Sequence, residues 1–252
     1  MTLIEATILG IVQGFTEFLP ISSSGHLVLG QAILGIEQPG NEFEILVHLG
    51  TLASVLVVFI DDIKSLLLSL TSKKTKRFIL FILIGTLPAV AVGFGFKDLL
   101  ESLFENVTAV GGALVFTGFV LYGSSFANRK DNNHTWMTAI LIGCAQAVAI
   151  IPGISRSGMT ISAALFLGLS PKEAARFSFL LAIPAISGAG LLTALDVSGG
   201  FQMSMTVALV GLISSFAVGV VALKWLLGWL EQGKFHYFGI YCLVVGLITS
   251  VI

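Results

Sequence analysis

Long apolar segments separated by short polar loops run through almost the whole chain. Of its 252 residues 56% are hydrophobic and only 11% are charged, whereas a soluble domain carries about 25% charged residues. The mean hydropathy is +0.99. Ten segments can be marked, at roughly 2–19, 21–36, 43–70, 77–96, 107–127, 136–151, 154–169, 174–195, 203–230 and 235–252. This pattern excludes a soluble fold and predicts an all-α protein that crosses a membrane several times.

Two pairs of neighbouring segments are too short to cross a bilayer singly, because a spanning helix needs about 20 apolar residues. These pairs are 2–19 with 21–36 and 136–151 with 154–169, and Pro, Gly and Ser interrupt each pair in its middle. Broken backbone is tolerated in a bilayer only where protein or a water-filled cavity satisfies its polar groups. We therefore predict that each pair is a re-entrant helical hairpin, which enters the membrane and returns to the same side.

An internal repeat relates the two predicted hairpins. Residues 6–35, shifted by 133 positions, align without a gap on 139–168. Nine of the thirty positions are identical, namely Ala6, Gly10, Gln13, Ile21, Ser22, Ser24, Gly25, Leu34 and Gly35. The single membrane domain 1–252 then divides into repeat 1 (about 1–130) and repeat 2 (about 134–252), each with one hairpin and three long segments. Because three crossings are an odd number, the second repeat is expected to be inverted relative to the first.

The distribution of basic residues predicts which loops face the cytoplasm. Eleven of the thirteen lie in the loops that fall on one side, namely Lys64, Lys73, Lys74, Lys76, Arg77, Arg129, Lys130, Lys172, Arg176, Lys224 and Lys234. An opposite loop holds Lys97 with Asp98, Glu101 and Glu105. The positive-inside rule makes the basic loops cytoplasmic and both termini external in a multi-pass membrane protein. The first hairpin then enters from outside and the second from the cytoplasm.

Polar side chains concentrate in the two hairpins, in Gln13–His26 (QGFTEFLPISSSGH) and Pro152–Thr160 (PGISRSGMT). Each stretch holds an ionisable group that is expensive in a membrane and usually functional, Glu17 in the first and Arg156 in the second. We predict that the two stretches meet and form one site. The alternative is a buried ion pair that only fixes the two hairpins to each other.

Gln13 and Glu17 are four residues apart and share one helix face. Their oxygen atoms are candidate ligands for a divalent cation, Mg²⁺ or Ca²⁺, with waters and phosphate oxygens completing the shell. For Gln13 alone, a hydrogen bond between helices is the alternative.

Serines at both hairpin tips predict helix N-termini that bind an anion. Ser22, Ser23 and Ser24 follow Pro20, and a helix that starts there offers free backbone N–H groups and the positive end of its dipole. Ser155 and Ser157 flank Arg156, whose guanidinium pairs with phosphate oxygens bidentately. Helix capping explains one serine in each run, and a carboxylate is a second candidate ligand. The number of donors favours a phosphate or a diphosphate.

His26 follows Ser23 by three residues and is a candidate base for that hydroxyl or for a water, with a packed core histidine as the alternative. His48 is expected to have a structural role or to position residues that bind the substrate. No soluble hydrolase signature and no nucleic-acid-binding patch is found in the sequence.

The motifs resemble those of the BacA-type undecaprenyl-diphosphate phosphatases. That family has an (E/Q)-x-x-x-E motif, a P-x-S-S-x-G-H run and a P-G-x-S-R-S-x-x-T motif, which match Gln13–Glu17, Pro20–His26 and Pro152–Thr160. The resemblance implies a hydrolase that converts undecaprenyl diphosphate to the monophosphate, depends on a divalent cation, recycles the lipid carrier for peptidoglycan and confers bacitracin resistance.

On this resemblance the phosphate-binding set consists of Arg156, Ser155, Ser157, Thr160, Gly153, Ser22 and Ser24. Glu17 holds the cation with Gln13, and either Ser23 or a water attacks, with His26 as the base. A lipid-phosphate flippase or transporter is the rival function, because inverted repeats and opposed hairpins would serve it too. The oligomeric state stays open, a homodimer included.

Overall fold

The computed structural model of the chain describes residues 1–36, 42–96, 103, 106–127, 132–196 and 203–251, with the backbone alone for 193–196. Within these residues all regular structure is helical, as predicted. The helices are α1 (Leu3–Phe18), α2 (Ser23–Leu34), α3 (Glu42–Val58), α4 (Ile60–Leu68), α5 (Lys73–Gly95), α6 (Val107–Gly123), α7 (Trp136–Val148), α8 (Arg156–Phe166), α9 (Pro171–Asp196), α10 (Met205–Glu231) and α11 (Tyr237–Val251), with a 3-10 turn at Ser124–Phe126. The charged positions predicted to face outward at Lys97, Asp98, Glu101 and Glu105 lie outside the described residues, as do Arg129 and Lys130.

Four helical spans among the described residues are long and apolar enough to cross a membrane alone, namely α5, α6 with its 3-10 turn, α9 and α10. A fifth candidate is the pair α3 and α4. The sequence predicted one segment over 43–70, and in the structure this segment consists of two helices that meet at 66° around Phe59. Asp61 and Asp62 open α4, which buries none of its side chains. α11 has 15 residues, so the sixth crossing stays a prediction.

The two predicted hairpins are present as helix pairs, α1 with α2 and α7 with α8, and the helices of each pair contact each other. The breaks between them carry matching caps. Ser22 Oγ accepts a hydrogen bond from the Gly25 N–H (3.4 Å), and Ser155 Oγ accepts one from the Gly158 N–H (3.1 Å). These four residues occupy equivalent positions of the sequence repeat. The re-entrant path and the inverted orientation of the halves stay predictions.

Each hairpin packs on a long helix of the other half through a glycine. A Cβ atom on Gly10 of α1 would lie 1.9 Å from Ser214 Oγ of α10, and one on Gly143 of α7 would lie 2.4 Å from the Gly85 carbonyl oxygen of α5. Gly10 and Gly143 are repeat-equivalent positions. Small residues let helix backbones approach closely in membrane proteins. The reciprocal packing brings the two hairpin tips together in the interior.

Candidate active site

The tips of the two hairpins touch. The Gly153 N–H donates to Ser22 Oγ (3.1 Å), so the hydroxyl that caps α2 also binds the second hairpin. Gly153 has φ of +90°, and a Cβ atom there would lie 2.4 Å from the Val110 carbonyl oxygen, so only glycine fits. Thr117 of α6 fixes the same turn, because its hydroxyl donates to the Gly153 carbonyl (3.1 Å) and accepts from the Ser155 N–H (3.2 Å).

Ser22 adopts a backbone conformation that is rare for a residue with a side chain, with φ of +69°. Such a conformation costs on the order of 1–3 kcal/mol and persists where the surroundings enforce it. Here the Ser22 hydroxyl accepts from two backbone N–H groups, and the Ser22 carbonyl accepts from the His26 N–H (3.2 Å) and ring Nδ1 (2.8 Å). The turn that starts α2 is therefore held rigidly beside the second hairpin.

Glu17, near the end of α1, is the centre of the polar network. Its side chain is 5% exposed. Oε1 accepts a hydrogen bond from Arg156 Nη2, whereas Oε2 accepts from Ser23 Oγ (2.7 Å) and Gln13 Nε2 (3.1 Å). Four side chains that the sequence singled out in two distant stretches thus contact one another.

Two buried polar atoms in this network have no hydrogen-bond partner. Arg156 Nη1 and Gln13 Oε1 are buried and lack a hydrogen-bond partner among the described residues. A buried pair that served only to join two hairpins would be expected to have its remaining donors and acceptors satisfied, since each unmet group costs about 1–3 kcal/mol. One free guanidinium NH₂ group and one free amide oxygen are what a bound anion and a bound cation would use.

The remaining predicted anion-binding hydroxyls lie in the same region. Ser22 and Ser24 lie with their Oγ atoms 3.3 Å apart, and so do Ser155 and Ser157. Thr160, one turn into α8, donates to the Arg156 carbonyl (2.8 Å), and its Oγ1 also lies 2.5 Å from the Ser178 hydroxyl. The Thr160 hydroxyl is therefore bonded within the protein and supports the helix that carries Arg156.

His26 makes no hydrogen bond with Ser23. Its Nδ1 lies 2.8 Å from the Ser22 carbonyl oxygen, and its Nε2 lies 2.8 Å from the hydroxyl of Tyr241 in α11, whose ring stacks on the imidazole with a centroid distance of 5.7 Å. The Ser23 hydroxyl is bound to Glu17 instead. The role of His26 as a base stays a prediction, and Tyr241 is a candidate functional residue that the sequence analysis missed.

The oxygen donors at Glu17 fit a hard divalent cation. The carboxylate is bonded to the Ser23 hydroxyl and to the Gln13 amide, whose Oε1 lacks a partner, and such cations prefer oxygen ligands completed by water and phosphate. No group of three or more His, Cys, Asp or Glu residues that could hold a metal occurs in the described part of the chain.

Comparison with known proteins identifies the family. The sequence profile of the family described as "Bacitracin resistance protein BacA" matches residues 6–248. The chain is 41% identical over 274 residues to the undecaprenyl-diphosphatase of Desulforapulum autotrophicum, with 100% of this chain and 98% of that protein covered. It is 42% identical over 258 residues to that of Halothermothrix orenii (100% and 98% covered). Identity to that of Korarchaeum cryptofilum is 43% over 259 residues (98% of each chain). The chain is a multi-pass membrane protein that belongs to the BacA family.

Proposed function

We propose that this protein hydrolyses undecaprenyl diphosphate to undecaprenyl phosphate and inorganic phosphate in the membrane. The reaction returns the lipid carrier to peptidoglycan synthesis and confers bacitracin resistance. The observation that carries the proposal is the buried Glu17 carboxylate, which holds the Arg156 guanidinium on one oxygen and the Ser23 hydroxyl on the other. Phosphoryl transfer requires a positive group that binds the phosphate and a nucleophile that attacks it. Here the guanidinium and the hydroxyl are bonded to the same carboxylate.

Arg156 is proposed to bind the terminal phosphate. Its unpartnered Nη1 is the first contact, and the phosphate then replaces Glu17 on Nη2, which gives a bidentate pair. The backbone N–H groups at the start of α8 and the hydroxyls of Ser155 and Ser157 add donors, while Gly153 shapes the adjacent turn through its bond to Ser22 and Thr160 supports the helix. Ser22 and Ser24 contribute from the start of α2.

Glu17, released from Arg156, is proposed to bind a divalent cation, Mg²⁺ or Ca²⁺, together with Gln13 Oε1. When bound, such a cation neutralises negative charge that builds on the phosphate oxygens. In this exchange the carboxylate that pairs with the guanidinium before substrate binds becomes a ligand of the cation afterwards.

Ser23 is proposed to attack the terminal phosphorus. Its proton passes to Glu17 Oε2, 2.7 Å away, a bond forms from Ser23 Oγ to phosphorus, and the bond from phosphorus to the bridging oxygen breaks. Undecaprenyl phosphate leaves, and water then cleaves the phosphoserine. Direct attack by a water with His26 as the base is the alternative route.

A flippase is the less favoured function. It would use Arg156 and the serines to bind the headgroup, but it would not need a serine hydroxyl held on a buried carboxylate. The relatives compared above are named as phosphatases.

The proposed orientation places both termini outside and the basic loops in the cytoplasm of a bacterial plasma membrane. The first hairpin then gives substrate access from outside. Labelling of cysteines introduced at Thr2 and at Lys73 tests this, since a membrane-impermeant reagent is expected to reach the first position alone in intact cells. A homodimer stays a prediction.

Phosphate release by the purified protein in detergent, from a prenyl diphosphate with and without EDTA, tests the function. We expect release with added Mg²⁺ or Ca²⁺ and its loss in EDTA. Release that is absent with every cation supplied would refute the proposal and favour transport.

A further inference from the structure

His48 of α3 lies against the catalytic carboxylate, although the proposed function gives it no part. Its Nε2 is 3.7 Å from Glu17 Oε2, the same oxygen that accepts from Ser23 and Gln13. The His48 side chain is 30% exposed and the Glu17 side chain 5%. The imidazole is therefore the more exposed of the two groups.

The hydrogen bond on the other ring nitrogen fixes which nitrogen carries the hydrogen. His48 Nδ1 lies 2.7 Å from the Glu44 carbonyl oxygen, and a carbonyl only accepts, so Nδ1 carries the hydrogen. In the neutral ring Nε2 then presents its lone pair to Glu17. Two acceptors that face each other repel unless a positive charge lies between them. That charge is either a proton on Nε2 or a metal ion.

The geometry favours the metal ion. A separation of 3.7 Å is beyond the usual range for a hydrogen bond between nitrogen and oxygen, whereas two ligands each about 2.0 to 2.6 Å from one ion lie roughly 3 to 4 Å apart. Histidines that bind metals commonly donate their other N–H to a backbone carbonyl, as His48 does to Glu44. Gln13 contacts the same carboxylate oxygen through Nε2, and its buried Oε1, which has no partner among the described residues, is a further oxygen ligand on that amide.

We propose that His48 Nε2 is a protein ligand of the divalent cation held by Glu17, with Gln13 Oε1 as the third. This inference rests on the proposed function. A nitrogen ligand raises the affinity for transition-metal ions relative to Mg²⁺ and Ca²⁺. The site therefore prefers Mn²⁺ to the alkaline-earth ions, and His48 determines this preference.

Electron spin-echo envelope modulation of Mn²⁺ bound to the purified full-length protein tests the assignment. The expected result is ¹⁴N modulation from a coordinated imidazole in the wild type, which is retained in His26→Asn and lost in His48→Leu and His48→Gln. Two substitutions are used because Leu and Gln change the polarity of the site to different extents. The test requires only that one of the two variants folds. His236→Leu, a histidine at the start of α11 that bonds to the Gly233 carbonyl, is the matched control with an unchanged signal.

Affinities give a second readout. Titration with Mn²⁺ and Mg²⁺ is expected to show a roughly 10- to 100-fold weaker Mn²⁺ affinity in the His48 variants and a smaller ratio of Mn²⁺ to Mg²⁺ affinity. Imidazole modulation that survives in both His48 variants, or an unchanged ratio, would overturn the inference. If the wild type hydrolyses substrate in a cation-dependent manner but its bound Mn²⁺ shows no imidazole modulation, His48 is not a ligand. The proposed phosphatase function would be unaffected by that result.

Discussion

Removing Arg156 distinguishes a catalytic ion pair from one that only joins the hairpins. Arg156→Ala leaves the Glu17 carboxylate buried at 5% exposure without its charged partner. Breaking a buried pair in this way costs about 3–5 kcal/mol, because the remaining charge is uncompensated. For a chain of this length, each kcal/mol lowers the melting temperature by about 2–4 °C, so a fall of roughly 6–20 °C is expected. Turnover is expected to be lost as well.

The double variant Glu17→Gln with Arg156→Met separates stability from chemistry. It removes both charges and keeps the approximate volumes, and such replacements of a buried pair are often neutral or stabilising. We therefore expect most of the lost melting temperature to return while hydrolysis stays absent. The assays are thermal melting in detergent at a fixed scan rate and phosphate release from a prenyl diphosphate. A double variant that both melts and hydrolyses like the wild type would refute the catalytic role and favour the structural pair.

Three further perturbations test separate parts of the site and fold. Ser23→Ala is expected to abolish single-turnover phosphate release, because the hydroxyl bound to Glu17 is the proposed nucleophile; full activity would favour direct attack by water. Tyr241→Phe is expected to cost only about 1 kcal/mol of stability, because one hydrogen bond is lost. If His26 takes part in the reaction, this substitution is expected to change kcat while KM stays constant. An unchanged kcat would favour a packing role for His26 and Tyr241. Gly143→Ala is expected to lower the melting temperature, whereas Gly93→Ala, whose Cβ would meet nothing within 4 Å, is the matched control with little change; equal effects would contradict the close α5–α7 contact.

Local sequence was sufficient to predict the helix pairs and their breaks. Pro20, the serine run and Gly25 end one helix and start another whatever the rest of the fold is. The bend between α3 and α4 at Phe59 was not predictable in the same way. Its flanking residues are continuously apolar from Val55 to Ile60, and hydropathy carries no information about direction.

The Glu17–Arg156 contact was predictable because both residues are ionisable groups within otherwise apolar, broken segments. The partners supplied by other helices were harder to foresee. His48 reaches Glu17 because α3 passes beside α1, and Tyr241 reaches His26 from 215 positions further along the chain. A histidine and a tyrosine in apolar helices are ambiguous until their neighbours are known. The Ser23 hydroxyl was assigned to His26 by sequence spacing, whereas the turn at Ser22 directs it to Glu17.

The hydrolytic activity of Glu17→Gln tests the central claim most directly. The substitution keeps the shape of the side chain and removes the charge that pairs with Arg156, accepts the Ser23 proton and binds the cation. We expect kcat/KM for a prenyl diphosphate to fall by about three orders of magnitude or more, as a general base of this kind contributes roughly 10²–10⁴-fold. Glu5→Gln, a carboxylate in the capping box of α1, is the control and is expected to keep wild-type kcat/KM. A folded Glu17→Gln protein with kcat/KM within a few fold of the wild type would contradict the account.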